Sequence, residues 1–266
     1  VDALAEREPD LARRLVRERA ERDRVRLRHV GEARPESLVV RVVHRYPHDP
    51  EAFTQGLLWH GGHLYESTGL RGQSSLRKVD LESGEVLERR SVDSRLFAEG
   101  LALVGDELIQ LTWQAGEAHV WSLDGFEHRR QFSYEGEGWG LCFDGEHLVM
   151  SDGSERLTFR DPHSFRIDHV VRVRDSDGYL QELNELECVD GVVWANVWQP
   201  DRIVRIDPVT GLVTANVDVS GLLEATDRWD SDVLNGIAWM EDRRHFAITG
   251  KLWPWLFEVD FVSAGE

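Results

Sequence analysis

Short runs of alternating hydrophobic and polar residues, separated by Gly, Asp and Pro, extend along the chain from residue 36 onward. Alternation with a period of two predicts half-buried β-strands, and the intervening small and polar residues predict turns. Pairs of runs flank turn signals such as Gly61-Gly62 and Asp190-Gly191. The pattern therefore predicts an all-β architecture for this region.

The strand pattern occurs five times. Each copy opens with a related triplet, and the triplets begin at Gln55, Glu99, Trp139, Asn184 and Asn235, with spacings of 44, 40, 45 and 51 residues along the sequence. A period of this length is typical of the four-stranded blades of a β-propeller, in which equivalent residues converge on a central channel. The sequence therefore predicts a five-bladed β-propeller whose channel carries one carboxylate, three amides and one aromatic side chain.

The fifth copy lacks an outermost strand after Phe261, and the run Ser37 to Tyr46 precedes the first copy without a partner of its own. We predict that this N-terminal run closes the fifth blade, because a closed ring leaves few exposed strand edges. Residues 36–266 should then form one propeller domain.

Residues 1–35 have a different composition, rich in Arg, Glu, Leu and Ala. Leu11, then Leu15 or Val16, and Ala20 follow a helical spacing, which predicts a charged N-terminal helix ending near Gly31. A solvated helix packed loosely on the propeller, a membrane-proximal spacer and a dimerisation helix are the alternatives for this segment.

The formal net charge is −18, and the first 34 residues hold ten Arg against eight acidic residues, so the excess negative charge belongs to the propeller. Such a surface repels phosphates, which argues against nucleic acid as a partner. No run of about 18 apolar residues is present, so no transmembrane helix is predicted. No signal-peptide pattern is visible either.

The two cysteines, Cys142 and Cys188, fall in the first strands of blades three and four, one position out of register in the repeat. Because of this offset the two side chains should lie on opposite faces of their strands. We therefore predict buried free thiols rather than a disulfide. This interpretation leaves the redox compartment undetermined, and a periplasmic or secreted location is the expectation.

Several longer motifs carry a resemblance to a known family. They are Tyr46 to Leu57, Tyr65 to Gly69, Gly72 to Ser75, Phe97 to Leu101, Leu111 to Trp113, Gly138 to Gly140, Leu183 to Glu187, Ala195 to Trp198, Leu234 to Ala238 and Thr249 to Lys251. Together they resemble the glutamine cyclotransferase family, the plant-type and bacterial glutaminyl-peptide cyclotransferases, from about Val39 to Phe261. The N-terminal helix lies outside the resemblance. The family's five-bladed propeller agrees with the number of repeats.

The resemblance implies that the α-amine of an N-terminal glutamine attacks its own side-chain carboxamide, releasing ammonia and leaving pyroglutamate. The implied substrates are peptides or proteins with N-terminal glutamine, without a cofactor or metal. The amine must be neutral, and the amide nitrogen needs a proton to leave. One carboxyl group with a pKa lifted toward neutrality can perform both transfers.

Glu99 matches the family's catalytic glutamate and is the carboxylate among the five triplet-opening residues. Lys251 could stabilise the oxyanion that develops on the amide carbon, or pair with Glu99 or Glu185. Without the family resemblance, the simpler interpretation of Glu99 is a solvated residue at the mouth of the propeller. The simpler interpretation of Lys251 is an exposed residue on the surface.

The resemblance also implies a substrate pocket. Trp113, Trp139, Trp198 and Phe53 would surround the substrate glutamine, although core packing is the simpler interpretation of most of the ten Trp residues.

Gln55, Asn184 and Asn235 would bond the substrate amide, since an amide side chain supplies both donor and acceptor. Asn235 could instead satisfy backbone groups at a strand end. Glu185 and Asp152 are the next carboxylates near the channel.

Two other functions use the same fold. A calcium-dependent lactonase would need several carboxylates converging on the axis. A non-catalytic propeller that binds peptide or protein termini would keep the pocket without the chemistry, and fold alone does not distinguish it from an enzyme. The sequence has no His-Glu-x-x-His or Cys-x-x-Cys motif, so a metal centre is not predicted.

Overall fold

The computed structural model of the protein describes residues 34–265. All the regular elements in this range are β-strands, as predicted, and none of its segments is a helix long and apolar enough to cross a membrane. The predicted N-terminal helix lies outside the described residues.

The first ten strands are β1 (Glu36–Pro47), β2 (Thr54–His60), β3 (His63–Thr68), β4 (Ser75–Val79), β5 (Val86–Ser91), β6 (Ala98–Val104), β7 (Glu107–Thr112), β8 (Glu117–Ser122), β9 (His128–Ser133) and β10 (Leu141–Phe143). The next six are β11 (Leu148–Ser151), β12 (Arg156–Arg160), β13 (Ile167–Arg172), β14 (Arg174–Asp175), β15 (Gly178–Tyr179) and β16 (Leu183–Val189). The last six are β17 (Val192–Val197), β18 (Arg202–Ile206), β19 (Val213–Asp218), β20 (Leu234–Met240), β21 (His245–Gly250) and β22 (Trp255–Ser263).

The strands form antiparallel four-stranded units that follow the chain. Sheet I is β2 to β5, sheet II is β6 to β9 and sheet III is β10 to β13. Sheet IV (β16 to β19) and sheet V (β20, β21, β22 and β1) are joined into one eight-stranded sheet, and β14 and β15 form a small hairpin between sheets III and IV. The arrangement is all-β and consistent with a propeller.

Strand β1 closes sheet V, as the sequence predicts. It pairs antiparallel with β22 from Leu38 opposite Ser263 to Pro47 opposite Trp255. It also pairs in parallel with β19, beginning with Glu36 opposite Ala215, a contact that the sequence analysis did not predict. One strand therefore holds sheets IV and V together.

Hydrophobic residues fill the spaces between neighbouring sheets. Within residues 34–265, five buried clusters lie between sheets I and II, II and III, III and IV, IV and V, and V and I. Each sheet thus buries both of its faces, which explains why the first strands read as nearly continuous buried runs rather than as alternating ones.

The triplet glycines let neighbouring first strands approach closely. A Cβ atom on Gly56 would lie 2.6 Å from the backbone nitrogen of Leu101, and one on Gly100 would lie 2.5 Å from that of Leu141. The Gly100 amide donates a 2.7 Å hydrogen bond to the carbonyl of Trp139. A side chain at these positions would push the sheets apart.

The prediction of free thiols is wrong. Cys142 of sheet III and Cys188 of sheet IV form a disulfide, with Cα atoms 5.5 Å apart. The face of one sheet packs on the opposite face of the next, so a contact between sheets requires residues from opposite faces of the repeat. The one-position offset is therefore what the bond needs, and it does not argue against pairing. Disulfides persist mainly in proteins of oxidising compartments.

Candidate active site

Three of the triplet-opening side chains form a hydrogen-bonded chain. Asn235 Nδ2 donates to Gln55 Oε1 over 3.0 Å, and Gln55 Nε2 donates to Glu99 Oε1 over 2.9 Å. Asn235 Nδ2 also donates to the Thr54 carbonyl over 3.0 Å. All three side chains are buried, because each begins a first strand at the point where neighbouring sheets converge. Gln55 is bonded at both ends to protein groups and therefore orients Glu99.

Glu99 lies in an electrostatic environment that favours its neutral form. Its residue is 4% exposed, and burial raises the pKa of the carboxyl well above its ordinary value, with Glu137 adding to the rise and Lys251 opposing it. Among the described residues, no hydrogen bond reaches Glu99 Oε2, so one oxygen is held by Gln55 and the other is not. A carboxyl with a raised pKa is a stronger base than an ordinary one, which suits it to accept a proton and return it.

Lys251 is buried rather than exposed on the surface, with 5% of its residue surface accessible. Burial lowers the pKa of its amine, while Glu99 and Asp232 act in the opposite direction. Its Nζ lies 4.9 Å from the centroid of the Phe53 ring. Within residues 34–265 it has no carboxylate partner at ion-pair distance, so its charge is stabilised by the ring and by longer-range fields.

The predicted aromatic residues form two groups. The Trp139 and Trp198 rings meet edge to face at 6.0 Å. Phe53 contacts Phe97 at 6.1 Å, and Phe97 contacts Trp113 at 5.6 Å, so Phe97 connects two predicted pocket residues that do not touch each other.

Glu137 joins the two groups and was missed by the sequence analysis. Its Oε2 accepts hydrogen bonds from Trp113 Nε1 at 2.7 Å and from Trp139 Nε1 at 3.1 Å. Burial opposes its ionisation, but these bonds and one from Gln114 hold the pKa of the carboxyl below its ordinary value. The sequence could have indicated this role, because a buried indole N–H requires an acceptor and Glu137 lies only two residues before Trp139.

Asn184 keeps an unused hydrogen-bond acceptor. Its Oδ1 is buried without a partner among the described residues, and so is Oδ1 of Asn235. The Asn184 backbone carbonyl accepts a 2.7 Å bond from Ser151 Oγ, which fixes the backbone while leaving the side chain oxygen unbonded. Buried polar atoms without partners are uncommon and mark places where a ligand group can supply the missing donor.

Glu185 is buried where the first strands of three sheets meet. Its two oxygens accept bonds from the amides of Leu57, at 3.2 Å, and Ile237, at 2.8 Å. It thus connects the first strands of sheets IV, I and V in the place where the other triplets have glycine. Burial and the nearby Glu187 raise the pKa of Glu185 well above its ordinary value.

Asp152 is engaged away from these groups. It accepts a hydrogen bond from Ser154 and forms a 2.7 Å ion pair with Arg156. The other two carboxylates that the sequence places near the channel therefore have partners within the protein: Glu185 bonds backbone amides and Asp152 pairs with an arginine.

A buried ion pair supports the Phe53–Gln55 segment from behind. His48 Nε2 lies 3.1 Å from Glu66 Oε1, and the same oxygen accepts a 2.7 Å bond from Thr54 Oγ1. His48 Nδ1 lies 2.7 Å from the Trp253 carbonyl, two residues beyond Lys251. Burial disfavours charge on His48, but Glu66 outweighs it and raises the pKa of the imidazole. His48 in turn helps to lower that of Glu66.

Comparison with known proteins agrees with this geometry. The sequence profile described as glutamine cyclotransferase matches residues 16–261. The chain belongs to the glutamine cyclotransferase family. The match begins upstream of Val39, so the expectation that the N-terminal segment lies outside the resemblance is wrong for residues 16–35.

Two members of the glutamine cyclotransferase family illustrate the likeness. The glutaminyl-peptide cyclotransferase of Arabidopsis thaliana is 42% identical over 233 residues, covering 85% of this chain and 72% of that protein. The crystal structure of Myxococcus xanthus glutaminyl cyclase is 41% identical with a TM-score of 0.81, covering 86% of this chain and 99% of the other.

Proposed function

We propose that this member of the glutamine cyclotransferase family is a glutaminyl-peptide cyclotransferase that converts the N-terminal glutamine of peptides or proteins to pyroglutamate and ammonia. The observation that carries the proposal is the buried Glu99, hydrogen-bonded to Gln55, with a raised pKa. Family membership and the two named relatives support the reaction. The geometry supports the roles that follow.

Glu99 acts as the proton shuttle. A substrate α-amine has an ordinary pKa of about 7.7–8.0, so a large fraction is neutral at mildly alkaline pH. As its nitrogen bonds to the amide carbon, Glu99 takes the proton that the new bond makes acidic. Glu99 then gives that proton to the departing nitrogen, the C–N bond breaks and ammonia leaves. The carboxylate is restored, and no other proton donor is required.

Lys251 stabilises the oxyanion that forms on the amide carbon during attack. Its burial excludes water, which strengthens the attraction between the ammonium and the developing charge. Contact with the Phe53 ring places the cation beside the pocket wall. We infer that Glu99 and Lys251 are the catalytic pair.

Aromatic walls hold the substrate glutamine in its folded conformation. Trp113, Trp139 and Trp198 together with Phe53 exclude water, which otherwise competes as a nucleophile. The shared acceptor Glu137 fixes the orientation of the first two indoles. Rigid walls lower the entropic cost of cyclisation, because the substrate is already held in its folded conformation.

Amide side chains provide polar recognition. The unpartnered Oδ1 atoms of Asn184 and Asn235 are acceptors for N–H groups of the substrate amine or carboxamide. Gln55 acts through Glu99, since both ends of its amide are already bonded within the protein.

We further infer that sheets I to V are the five blades of a propeller domain over residues 36–266, with residues 1–35 as a helical extension. The cyclic succession of buried clusters between sheets supports five blades. The catalytic groups named above complete the proton transfers without a metal or cofactor, so we propose a metal-independent reaction.

Ammonia release from a Gln-initiated dipeptide tests the proposal, with mass spectrometry to detect the loss of one ammonia and with parallel reactions in EDTA. Release in both conditions is the expected result. Release only without EDTA would overturn metal independence. A rate equal to the spontaneous one for several peptides would overturn the activity and favour a non-catalytic module that binds peptide termini.

A further inference from the structure

A cluster of histidine and aspartate side chains lies on the outer part of sheet III, outside the proposed catalytic groups. His147 precedes β11, and Asp168 and His169 belong to β13, the outermost strand of the sheet. One ligand atom from each of these three residues lies within 4.8 Å of the other two. Within residues 34–265 no other group of three His, Cys, Asp or Glu side chains brings its ligand atoms so close together.

A β-bulge brings Asp168 and His169 to the same place. Phe159 pairs with His169 and Arg160 with Ile167, which leaves Asp168 as an extra residue in β13. Adjacent residues in a regular strand point to opposite faces, whereas a bulge redirects one of them. Here Asp168 Oδ2 lies 2.8 Å from His169 Nδ1 and 3.7 Å from His147 Nε2.

The same bulge recurs in the other sheets with residues that cannot form such a group. The extra residues there are Leu87 in sheet I, Arg129 in sheet II and Thr214 in sheet IV. The backbone irregularity is therefore a feature of the repeat, while the Asp-His pair opposite a second histidine belongs to sheet III.

Neighbouring groups hold both imidazoles in place. The His169 ring stacks on Phe159 at 4.2 Å with an angle of 12° between their planes. His147 Nδ1 lies 3.9 Å from Asp144 Oδ2, and Asp144 Oδ1 accepts hydrogen bonds from the backbone amides of Glu146 and His147. This separation is too long for a hydrogen bond, so Asp144 acts on His147 through its negative charge rather than as an acceptor for its ring N–H.

We propose that His147 Nε2, His169 Nδ1 and Asp168 Oδ2 form a binding site for Zn²⁺ on the outer part of sheet III. Two imidazole nitrogens and one carboxylate oxygen are a ligand set that zinc accepts, with water in the fourth position. The three side chains are 21%, 44% and 60% exposed, so an ion reaches them from solvent. Small side-chain rotations bring the donors to ligand distance.

The bound ion connects the turn between β10 and β11 to the outermost strand. It therefore stabilises the outer part of sheet III and acts apart from the Glu99 chemistry. At a hundred-fold excess of free zinc over its dissociation constant, ligand linkage raises Tm by about 5 °C or more.

Sheet II supplies a matched control with the same residue types. His119 Nδ1 lies 3.2 Å from His128 Nε2, while His119 Nε2 lies 3.1 Å from Glu117 Oε2. The two nitrogens of His119 face different partners on opposite sides of its ring, so three donors do not converge there. His119→Ala should leave zinc binding unchanged.

The test is isothermal titration of the metal-stripped full chain with ZnCl₂. We expect one equivalent to bind with micromolar or tighter affinity, and the affinity to fall at least ten-fold in His147→Ala and in His169→Ala. Asp144→Asn should weaken binding by a smaller factor, because it removes a negative charge 3.9 Å from His147 Nδ1. Circular dichroism without zinc checks that each variant is folded, and Asp168→Asn replaces any alanine variant that is not.

Weaker or no binding by the wild-type chain would overturn the proposal. So would affinity that persists in both the His147 and the His169 variants, or that disappears in His119→Ala. Cobalt(II) gives a second readout, because ligation by these side chains produces visible absorption bands that the same substitutions should remove.

Discussion

Glu99→Gln removes the proton shuttle while preserving the shape of the side chain. Gln55 Nε2, now 2.9 Å from Glu99 Oε1, can donate equally well to an amide oxygen. Burial raises the pKa of Glu99 well above its ordinary value because it disfavours the charged form, and a neutral amide carries no such cost. We therefore expect the Tm of the variant to be no lower than that of the wild type.

The expected loss lies in the chemical step. Positioned proton transfer contributes about 10²–10⁴ in rate, so kcat should fall by that factor, equivalent to about 3–5 kcal/mol of transition-state stabilisation. KM should change little, because the aromatic walls and the unbonded amide oxygens are untouched. A loss confined to KM would contradict the proposed role.

The assay measures ammonia released from a Gln-initiated dipeptide after subtraction of the uncatalysed rate. Glu187→Gln is the matched control, since burial also raises the pKa of Glu187, to about 8, and the proposed chemistry does not use it. Activity of Glu99→Gln within ten-fold of the wild type would refute the shuttle. Equal losses in both variants would point to structural damage instead.

The other predictions concern the cation, the pH profile and two structural links. Lys251→Met should lower kcat by about 10²–10³ through loss of oxyanion stabilisation, without lowering Tm, as steady-state kinetics and thermal unfolding will show. In a plot of kcat/KM against pH, activity should fall at low pH as the substrate amine, with a pKa of about 7.7–8.0, and Glu99, whose pKa is raised well above 4.5, become protonated. Activity should also fall as pH rises through the lowered pKa of Lys251, below 10.5, and an alkaline limb unchanged in Lys251→Met would contradict this assignment. Glu185→Ala leaves two buried amides without acceptors, which costs about 2–6 kcal/mol and lowers Tm by roughly 4–24 °C, whereas Glu185→Gln keeps one acceptor and should lose less. Reduction of the Cys142–Cys188 bond, which closes a span of 46 residues, should cost about 4 kcal/mol, and a reductant should have no effect on the Tm of the double alanine variant.

Local and repetitive signals predicted much of the fold and part of the site. The period of the triplets indicated the sheets, and the unpartnered run Ser37 to Tyr46 indicated the strand that closes sheet V. The equivalence of Gln55, Glu99 and Asn235 in the repeat was enough to expect their convergence, which the hydrogen bonds between them confirm.

The contacts that escaped prediction join different sheets through side chains that the other repeats do not share. Glu137 accepts from two indoles because of how sheet III meets sheet II, and Glu185 reaches amides of two other first strands. Aligned repeats suggest that side chains in contact come from equivalent positions. In the structure each sheet packs one face against the other face of its neighbour, so the disulfide joins residues whose side chains lie on opposite faces of the repeat. Packing geometry between the sheets decides these contacts, and no short sequence pattern encodes it.

The double pairing of β1 has a consequence for how the chain folds during synthesis. Its antiparallel partner β22 includes Ser263, opposite Leu38, so the two paired positions lie 225 residues apart (263 − 38) and β1 is synthesised long before its partner. Until then β1 presents unpaired backbone groups, which makes premature association with other strands a hazard. Contacts of such long sequence separation also slow folding. The pairing of β1 with β22 can therefore form only after β22 has been synthesised, and chaperone demand should be greatest just before that moment.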